Sequence, residues 1–493
     1  MWLLDVESLQ LKEFQGSNIP EYAILSHTWG AEEVSFVEMK KPKYRETAER
    51  KEGFSKIKLC CLQAQKDGYK WAWVDSCCID KRSSAELSEA INSMFAWYKL
   101  ARRCYVYLSD VPSEGDVVEM LRKSRWFTRG FTLQELLAPR QIVFFAQDWV
   151  AIGYKMSLRG AGSSLSMDMV PEIDKLPCID FMDELSSITR IPESYLTGRR
   201  GLGQACIAQR MYWASYRETT RAEDRAYSLM GLFDISMPVL YGEGLDKAFT
   251  RLQHQIILQS PDQTFLAWYR SDETSYRLLA DSPDCFRNSG TVVRLEQNAL
   301  DTGMRRSAFT MTNLGLGITL PLATETFGLG QTTDAALNCV ASDHDGVARR
   351  IGLSLSFLHN ESEGHPVFLA QRPRMWVFNV GAGNPTGMLI CGNDYGSGFW
   401  DNTSRPSLVA ESGIATRVLE ICAIELGISS DMLVEEMNFA ELGADSLMLL
   451  TIRARVYEEM EISLSPLDFH KHPTIGSFRS YLASDRFTKA SVT

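Results

Sequence analysis

The stretch WAWVDSCCIDK, residues 71–81, constrains this chain more than any other. Trp71, Trp73 and Val74 among small neighbours predict a short buried strand, and Asp75 and Asp80 follow where such a strand ends. Three further strand candidates accompany it: YAILS (22–26), CYVYL (104–108) and QIVFF (141–145). Helical patterns separate them. One runs over 53–67; the next opens on Ser83 and Glu86 at capping-box spacing and continues with Leu87, Ile91, Met94 and Tyr98 at helical intervals. This βαβα order predicts a parallel sheet covered on both faces, with sites built at the carboxyl ends of its strands.

A chain of 493 residues is too long for one core, and two to four domains are expected. The formal net charge of -11, with no long basic run, argues against a nucleic-acid partner, because nothing is placed to neutralise phosphates. The 11 cysteines are spread thinly, with adjacent pairs at Cys60/Cys61 and Cys77/Cys78, and form neither a CxxC pair nor a cysteine/histidine cluster at zinc spacing. Reduced, packed thiols and no metal are the expectation. The opening MWLLDVESLQLKEF lacks the basic start and long apolar core of a secretory signal, and no stretch is long and apolar enough to span a bilayer. The expected location is the cytoplasm, where thiols stay reduced.

Two stretches of the first third carry candidate chemistry. His27 heads the polar, aromatic run HTWG where the first strand should end, and a histidine there serves either as a hydrogen-bonded structural residue or as a catalyst. The run WFTRGFTLQELLAPR (126–140) predicts a short helix ended by Pro139 and carrying one acid, Glu135. Thr132 and Glu135 have capping-box spacing, so a structural reading of Glu135 stands beside a functional one.

Taken together, YAILSHTWG, WVDSCCIDK, INSMFAWYKLARRCYVYLSD and RGFTLQEL resemble the successive signature blocks of the heterokaryon incompatibility (HET) domain of filamentous fungi, over about residues 20–150. The resemblance implies a role in non-self recognition and programmed cell death. It also implies a TIR-like, flavodoxin-like parallel sheet, because HET domains look like remote relatives of TIR domains, and with it self-association through this domain. Some TIR domains cleave NAD with a glutamate in a helix whose WCLxEL-like motif is similar to FTLQEL here, which places Glu135 as the catalytic candidate and NAD as a substrate. A carboxylate beside a bound glycoside stabilises an oxocarbenium-like centre or orients the ribose.

The middle of the chain is expected to be helical over 151–262 and β-rich over 263–400. Residues 155–180 look like a loop-rich insertion, 217–244 and 248–258 carry helical patterns, and Glu223, Asp224 and Arg225 form a charged cluster of the kind that caps helices and pairs ions. From Thr264 onward, short apolar runs at 264–268, 309–312, 316–322, 351–358 and 374–380 predict strands. The glycine-rich runs around Gly328 and Gly381 have neither P-loop nor dinucleotide-fingerprint spacing and read as loops.

A polar linker at 401–411 precedes a separate helical unit at 412–485. Ile414, Val418, Ile421 and Cys422 make one apolar face; Leu447, Leu450, Ala454 and Tyr457 make another, on a helix that begins near Ser446; Thr474 caps a last helix bearing Ile475, Phe478 and Leu482. ELGADSLMLL (441–450) resembles the attachment motif of acyl carrier domains, and HPTIGSF (472–478) resembles the start of their last helix, most closely in carriers of fungal polyketide synthases. The resemblance implies a small four-helix bundle in which Ser446 receives 4'-phosphopantetheine from coenzyme A. A hydroxyl at a helix start, where backbone N–H groups are free, suits the phosphodiester formed there.

Three functional readings follow. The chain is a HET-domain effector or regulator that carries an acyl carrier; or an accessory carrier or scaffold of polyketide metabolism with no cell-death role; or a TIR-like NAD-cleaving effector using Glu135. The carrier itself is not a catalyst. The implied partners are a phosphopantetheinyl transferase and acyl-loading or polyketide synthase enzymes.

Overall fold

The computed structural model describes residues 1–157 apart from Ser17, 179–269, 277–295, 309–322 apart from 313 and 314, 332–342, 348–360, 366–374, 385–391, 414–425 and scattered positions between 434 and 482. Two compact units result, Met1–Gly396 and Ser397–Thr493.

The first unit is mixed α/β. Its leading sheet has eight strands in the order β2-β1-β4-β3-β5-β6-β7-β8. These are β1 (Trp2–Asp5), β2 (Leu11–Glu13), β3 (Ala23–His27), β4 (Trp71–Trp73), β5 (Arg103–Tyr107), β6 (Gln141–Phe145), β7 (Ala151–Met156) and β8 (Ile179–Asp180). The four strands expected from sequence are β3, β4, β5 and β6, and they pair in parallel. Antiparallel β1 and β2 extend one edge, and β7 pairs antiparallel with β6 at the other. The sheet is therefore mostly parallel rather than wholly so.

The first parallel strand lies between the second and third, so the chain steps outward from β3 in both directions. Helix α3 (Glu52–Lys66), which follows α1 (Phe36–Lys40) and α2 (Arg45–Glu49), leads to β4; helix α4 (Ser84–Leu100) then crosses back over β3 to β5. Right-handed crossovers of opposite direction put these two helices on opposite faces. The reversal leaves a crevice at the carboxyl ends of β3 and β5, the position at which open α/β sheets take ligands.

Packing explains the order. All five residues of β3 are buried, as a strand covered on both faces requires. Trp73 of β4 sits edge-on to Trp97 and Tyr98 of α4, at 5.6 and 5.9 Å between ring centres. Tyr98 donates to the Leu25 carbonyl of β3 at 3.0 Å, which ties the helix to the strand it crosses. Ser83 caps α4 as its spacing predicts, accepting from the Glu86 N–H.

The 217–244 stretch does not form one helix. It makes two single turns, Asp224–Tyr227 and Met230–Phe233, before the long helix Gly244–Gln259. Residues 264–268, expected as a strand, lie in and just after the 3-10 turn Gln263–Leu266, because the Asp262 carboxylate accepts from the Thr264 N–H at 3.0 Å and starts a helical turn. The β-rich expectation holds beyond that point: a seven-stranded sheet runs from Val293–Arg294 to Pro385–Cys391, antiparallel at every pairing except the one between Pro366–Arg374 and Pro385–Cys391. The insertion core at 158–178, the glycine-rich loops at 323–331 and 381–384, the run 375–380 and the linker at 401–411 lie outside the described residues.

In the second unit the helices Ile414–Glu425 and Ile475–Leu482 share a core of Val418, Ile421, Cys422, Ile475, Phe478 and Leu482. Phe439, Phe469 and Phe478 form a trio in which Phe469 and Phe478 stack at 4.5 Å and Phe439 stands edge-on to them at 5.4 and 5.2 Å. The Thr474 hydroxyl accepts from the Ser477 N–H at 3.3 Å, the cap read from sequence. Positions 452, 456 and 460 are helical, with Ile452 and Val456 buried. Ser446, Leu447, Leu450, Ala454 and Tyr457 lie outside the described residues.

Candidate functional site

Three chain segments meet at the carboxyl ends of β3 and β4. His27 is the last residue of β3; Asp75 and Ser76 follow β4; Glu33 stands on the loop that leads into α1. His27 is 6% exposed, and its Nε2 lies 3.7 Å from Glu33 Oε2 and 3.7 Å from Asp75 Oδ1. Neither separation is a hydrogen bond. Both ring nitrogens of His27, Glu33 Oε2, Asp75 Oδ1 and Ser76 Oγ are buried atoms that make no hydrogen bond. Such convergence is uncommon in a folded core, where polar groups are nearly always bonded.

The remaining atoms of these groups are held firmly. Glu33 Oε1 accepts from the Gly30 N–H at 2.7 Å and from Lys56 of α3. Asp75 Oδ2 accepts from the Trp29 indole at 2.7 Å. Burial alone would raise the Glu33 carboxyl, but His27 and Lys56 beside it outweigh that and hold it down at about 2. Trp29 itself is 48% exposed, with the Lys81 ammonium 3.6 Å from the centre of its ring. Next to this cluster opens a crevice lined by Thr28, Glu32, Glu33, Glu52, Lys56 and Ser109, among others.

Glu135 has a different setting. It lies in α6 (Thr132–Leu137), which follows α5 (Val117–Lys123), and is 6% exposed. Ser26 of β3 donates to Glu135 Oε2, and the Trp126 indole donates to the same Ser26 hydroxyl at 2.8 Å. Burial pushes the Glu135 carboxyl up to about 8, against the Ser26 hydrogen bond and with the help of the nearby Asp75 charge. Thr132 is not the helix cap that its spacing suggests. Phe131 is the cap residue, and the Thr132 hydroxyl turns back to the Trp126 and Arg129 carbonyls.

Two buried cations brace this helix. Arg217 reaches the Arg129 carbonyl and the Thr132 hydroxyl, each at 2.8 Å, and burial lowers it to about 9. Lys155 of β7 donates to the Leu136 and Pro139 carbonyls where the helix ends, and burial lowers it to about 8. Gly130 has no room for a side chain: a Cβ there would lie 2.5 Å from Thr219 Cγ2. The charged trio in the middle of the chain divides among three tasks. Glu223 accepts from the Gly242 and Gly244 N–H groups, Asp224 from Tyr241, and Arg225 pairs with Asp284.

The sequence pointed to His27 and Asp75 through their strand ends but not to Glu33, Lys56 or Ser76, which reach the site through folding alone. Among the described residues no group of His, Cys, Asp and Glu is arranged to hold a metal ion.

Comparison with known proteins accounts for both ends of the chain. Residues 22–122, which include His27, Glu33 and Asp75, match the family model of the heterokaryon incompatibility protein (HET), and residues 416–482, which include Ser446, match that of the phosphopantetheine attachment site. The chain carries a HET domain and a phosphopantetheine-attachment domain. It is 42% identical over 254 residues, half of its length, to the vegetative incompatibility protein HET-E-1 of Podospora anserina. Over 75 residues, 15% of its length, it is 40% identical to the conidial pigment polyketide synthase PfmaE of Pestalotiopsis fici. Over 82 residues, 17% of its length, it is 40% identical to the conidial pigment polyketide synthase alb1 of Aspergillus fumigatus. It spans 17% of the length of the incompatibility protein and 4% of each of these synthases. Glu135 lies beyond the matched HET segment. Among the described residues no helix is long and apolar enough to cross a membrane.

Proposed function

We propose that this chain is a heterokaryon-incompatibility protein whose tail is an acyl carrier. The observation that carries the reading is the serine motif GADSL at 443–447 inside the matched attachment segment. In the loading step the Ser446 oxygen attacks the pantetheine-side phosphorus of coenzyme A. A P–O bond forms to the serine, the diphosphate linkage breaks, the adenosine bisphosphate leaves, and the hydroxyl proton goes to solvent or base. The thiol at the end of the arm then holds an acyl or polyketide chain as a thioester. A separate phosphopantetheinyl transferase performs the loading, and synthase-type enzymes supply the cargo. The tail is read as a four-helix bundle, supported by the two packed helices and by the helical positions between them.

The amino-terminal region is read as TIR-like, supported by the order of its parallel strands, and as the part that acts in non-self recognition and cell death, alone or by self-association. Of the limits read from sequence, 1–150, 151–262, 263–400 and 412–485, the first is extended in this reading, because the strands Ala151–Met156 and Ile179–Asp180, in a stretch expected to be helical, complete its sheet. Glu135 is assigned a bracing role. Its carboxyl is enclosed by Ser26 and the α6 packing and is not part of the crevice lining, and the glutamates of that lining disfavour a pyrophosphate such as that of NAD.

Inducible expression of the whole chain in a filamentous fungus tests the reading, with Asp75→Asn and Ser446→Ala alongside the wild type. Cell death that Asp75→Asn abolishes is the expected result. Unimpaired growth on induction, together with loss of a metabolite in Ser446→Ala alone, would overturn it in favour of an accessory carrier of polyketide metabolism.

A further inference from the structure

We propose that His27 is a proton-sensitive latch: with its proton it fastens the segment 28–35 to the end of β4, and without it that segment loosens. The segment forms neither helix nor strand, and it supplies Thr28, Gly30, Glu32 and Glu33 to the crevice at the strand ends. One buried imidazole therefore sets how firmly that wall of the crevice is held.

The His27 side chain is 1% exposed, and its Nε2 stands 3.7 Å from Glu33 Oε2 on the segment and 3.7 Å from Asp75 Oδ1 just after β4. Both oxygens are buried and accept no hydrogen bond, and both ring nitrogens are unbonded. Carboxylate oxygens are acceptors only, so a positive charge or a donor between them is what offsets their burial. An imidazolium supplies the charge; a neutral ring leaves two like charges facing it. Histidine is the side chain whose charge ordinarily changes between pH 5 and 8. When the charge is lost the segment is the part able to give way, because β4 is paired on one side with β1 and on the other with β3.

The remaining fastenings of the segment do not depend on the imidazole. Glu33 Oε1 accepts from the Gly30 N–H and from Lys56, the Glu33 carbonyl accepts from Lys51 at 3.0 Å, and the Glu32 carbonyl accepts from the Gly53 N–H at 3.1 Å. Trp29 donates to Asp75 Oδ2, and Arg125 bonds the Thr28 hydroxyl and the Trp29 carbonyl. Loss of the proton thus loosens the segment without unfolding it.

The neighbouring charges can be separated from that of His27. Glu33, held at about 2, stays ionised across the range, and the Lys56 ammonium is bonded to it. Lys81, on the Trp29 ring, is lowered by burial and partly restored by Asp75. The Cys77 thiol is pushed well up by its hydrogen bond with Cys78 and by burial, and burial also raises the Tyr107 hydroxyl on β5. Glu135, raised to about 8, changes charge over an overlapping range, but it is reached from Ser26, whose side chain leaves the other face of β3.

Hydrogen exchange of the whole chain at pH 5.5 and pH 8.5, read by mass spectrometry and corrected for the intrinsic pH dependence of exchange, tests the latch. Amides of 28–35 should exchange at least about threefold faster at the higher pH. His27→Gln should abolish that contrast, and Glu135→Gln should retain it. Glu33→Gln, which removes one of the two facing charges, should shrink it and keeps the latch testable if His27→Gln does not fold. A wild-type contrast below threefold would overturn the latch, as would one that persists undiminished in His27→Gln or Glu33→Gln, or one that Glu135→Gln abolishes. A chain that accepts phosphopantetheine yet shows no contrast refutes the latch alone.

Discussion

The two ends of this chain hold their chemistry in different ways. At the tail, in the function proposed above, it rests on one residue of a contiguous motif, Ser446, because a covalent attachment needs one nucleophile and a surface for the modifying enzyme. At the head it is distributed: β3 supplies His27, the loop before α1 supplies Glu33, the end of β4 supplies Asp75 and α3 supplies Lys56. A motif survives being read as a string, whereas an arrangement exists only once the sheet has formed. Within the head the same contrast recurs at neighbouring residues of one strand. Ser26 points to Glu135, and their hydrogen-bond network is filled by Trp126; His27 stands at ion-pair distance from two carboxylate oxygens without a hydrogen bond to either. A saturated buried network rigidifies a fold, and an unsaturated one answers to a change of charge.

Substitutions at these neighbours sharpen that contrast. The largest effect is expected for Glu135→Ala, which leaves the Ser26 hydroxyl and the Arg217 guanidinium without their acidic neighbour and opens a cavity; a loss on the order of 3 kcal/mol in urea unfolding is predicted. A loss below about 1 kcal/mol would remove Glu135 from its bracing role.

The next effect is a pH dependence. The Glu135 carboxyl is raised from 4.5 to about 8 in the folded chain, so between those values the native state binds more protons than the unfolded one. Its contribution to stability is therefore largest at low pH and falls as pH rises through that window, with a slope of up to about 1.4 kcal/mol per pH unit. Glu135→Gln, which keeps the shape without the charge, should flatten the wild-type decline between pH 6 and pH 8 in thermal melts. An identical decline in the variant would assign the pH dependence elsewhere.

A smaller stability effect is predicted for His27→Gln, which removes the imidazole that helps hold the Glu33 carboxyl down but keeps an amide able to donate to Glu33 or Asp75: about 1–2 kcal/mol by the same unfolding measurement. If His27→Gln and Glu135→Ala cost the same, the division between a bracing network and an open one fails.

Much of the fold was legible because the parallel strands are buried on both faces and so are written as short apolar runs. Gln141–Phe145 begins and ends where the run QIVFF does. β1 was not legible: WLLD is short, and it becomes a strand by pairing with β4, almost seventy residues away, as Leu4 meets Ala72. Phe265 and Leu266 are buried as a strand would bury them, yet Asp262 starts a helical turn there and the Thr264 hydroxyl accepts from the Ala208 N–H at 3.1 Å. Burial was readable and backbone geometry was not. The same limit governs the site: His27 and Asp75 stood out at strand ends, while Glu33 in AEEVSF looks like any surface acid until folding buries one of its oxygens against His27.

The central claim, that a HET domain is joined here to a working carrier, is tested most directly by the intact mass of the whole chain. The mass is measured before and after incubation with coenzyme A and a broad-specificity phosphopantetheinyl transferase, with Ser446→Ala alongside. The account predicts that the wild type gains a single phosphopantetheine and that Ser446→Ala gains none. An unchanged wild-type mass, while a known carrier is modified in the same tube, would contradict it.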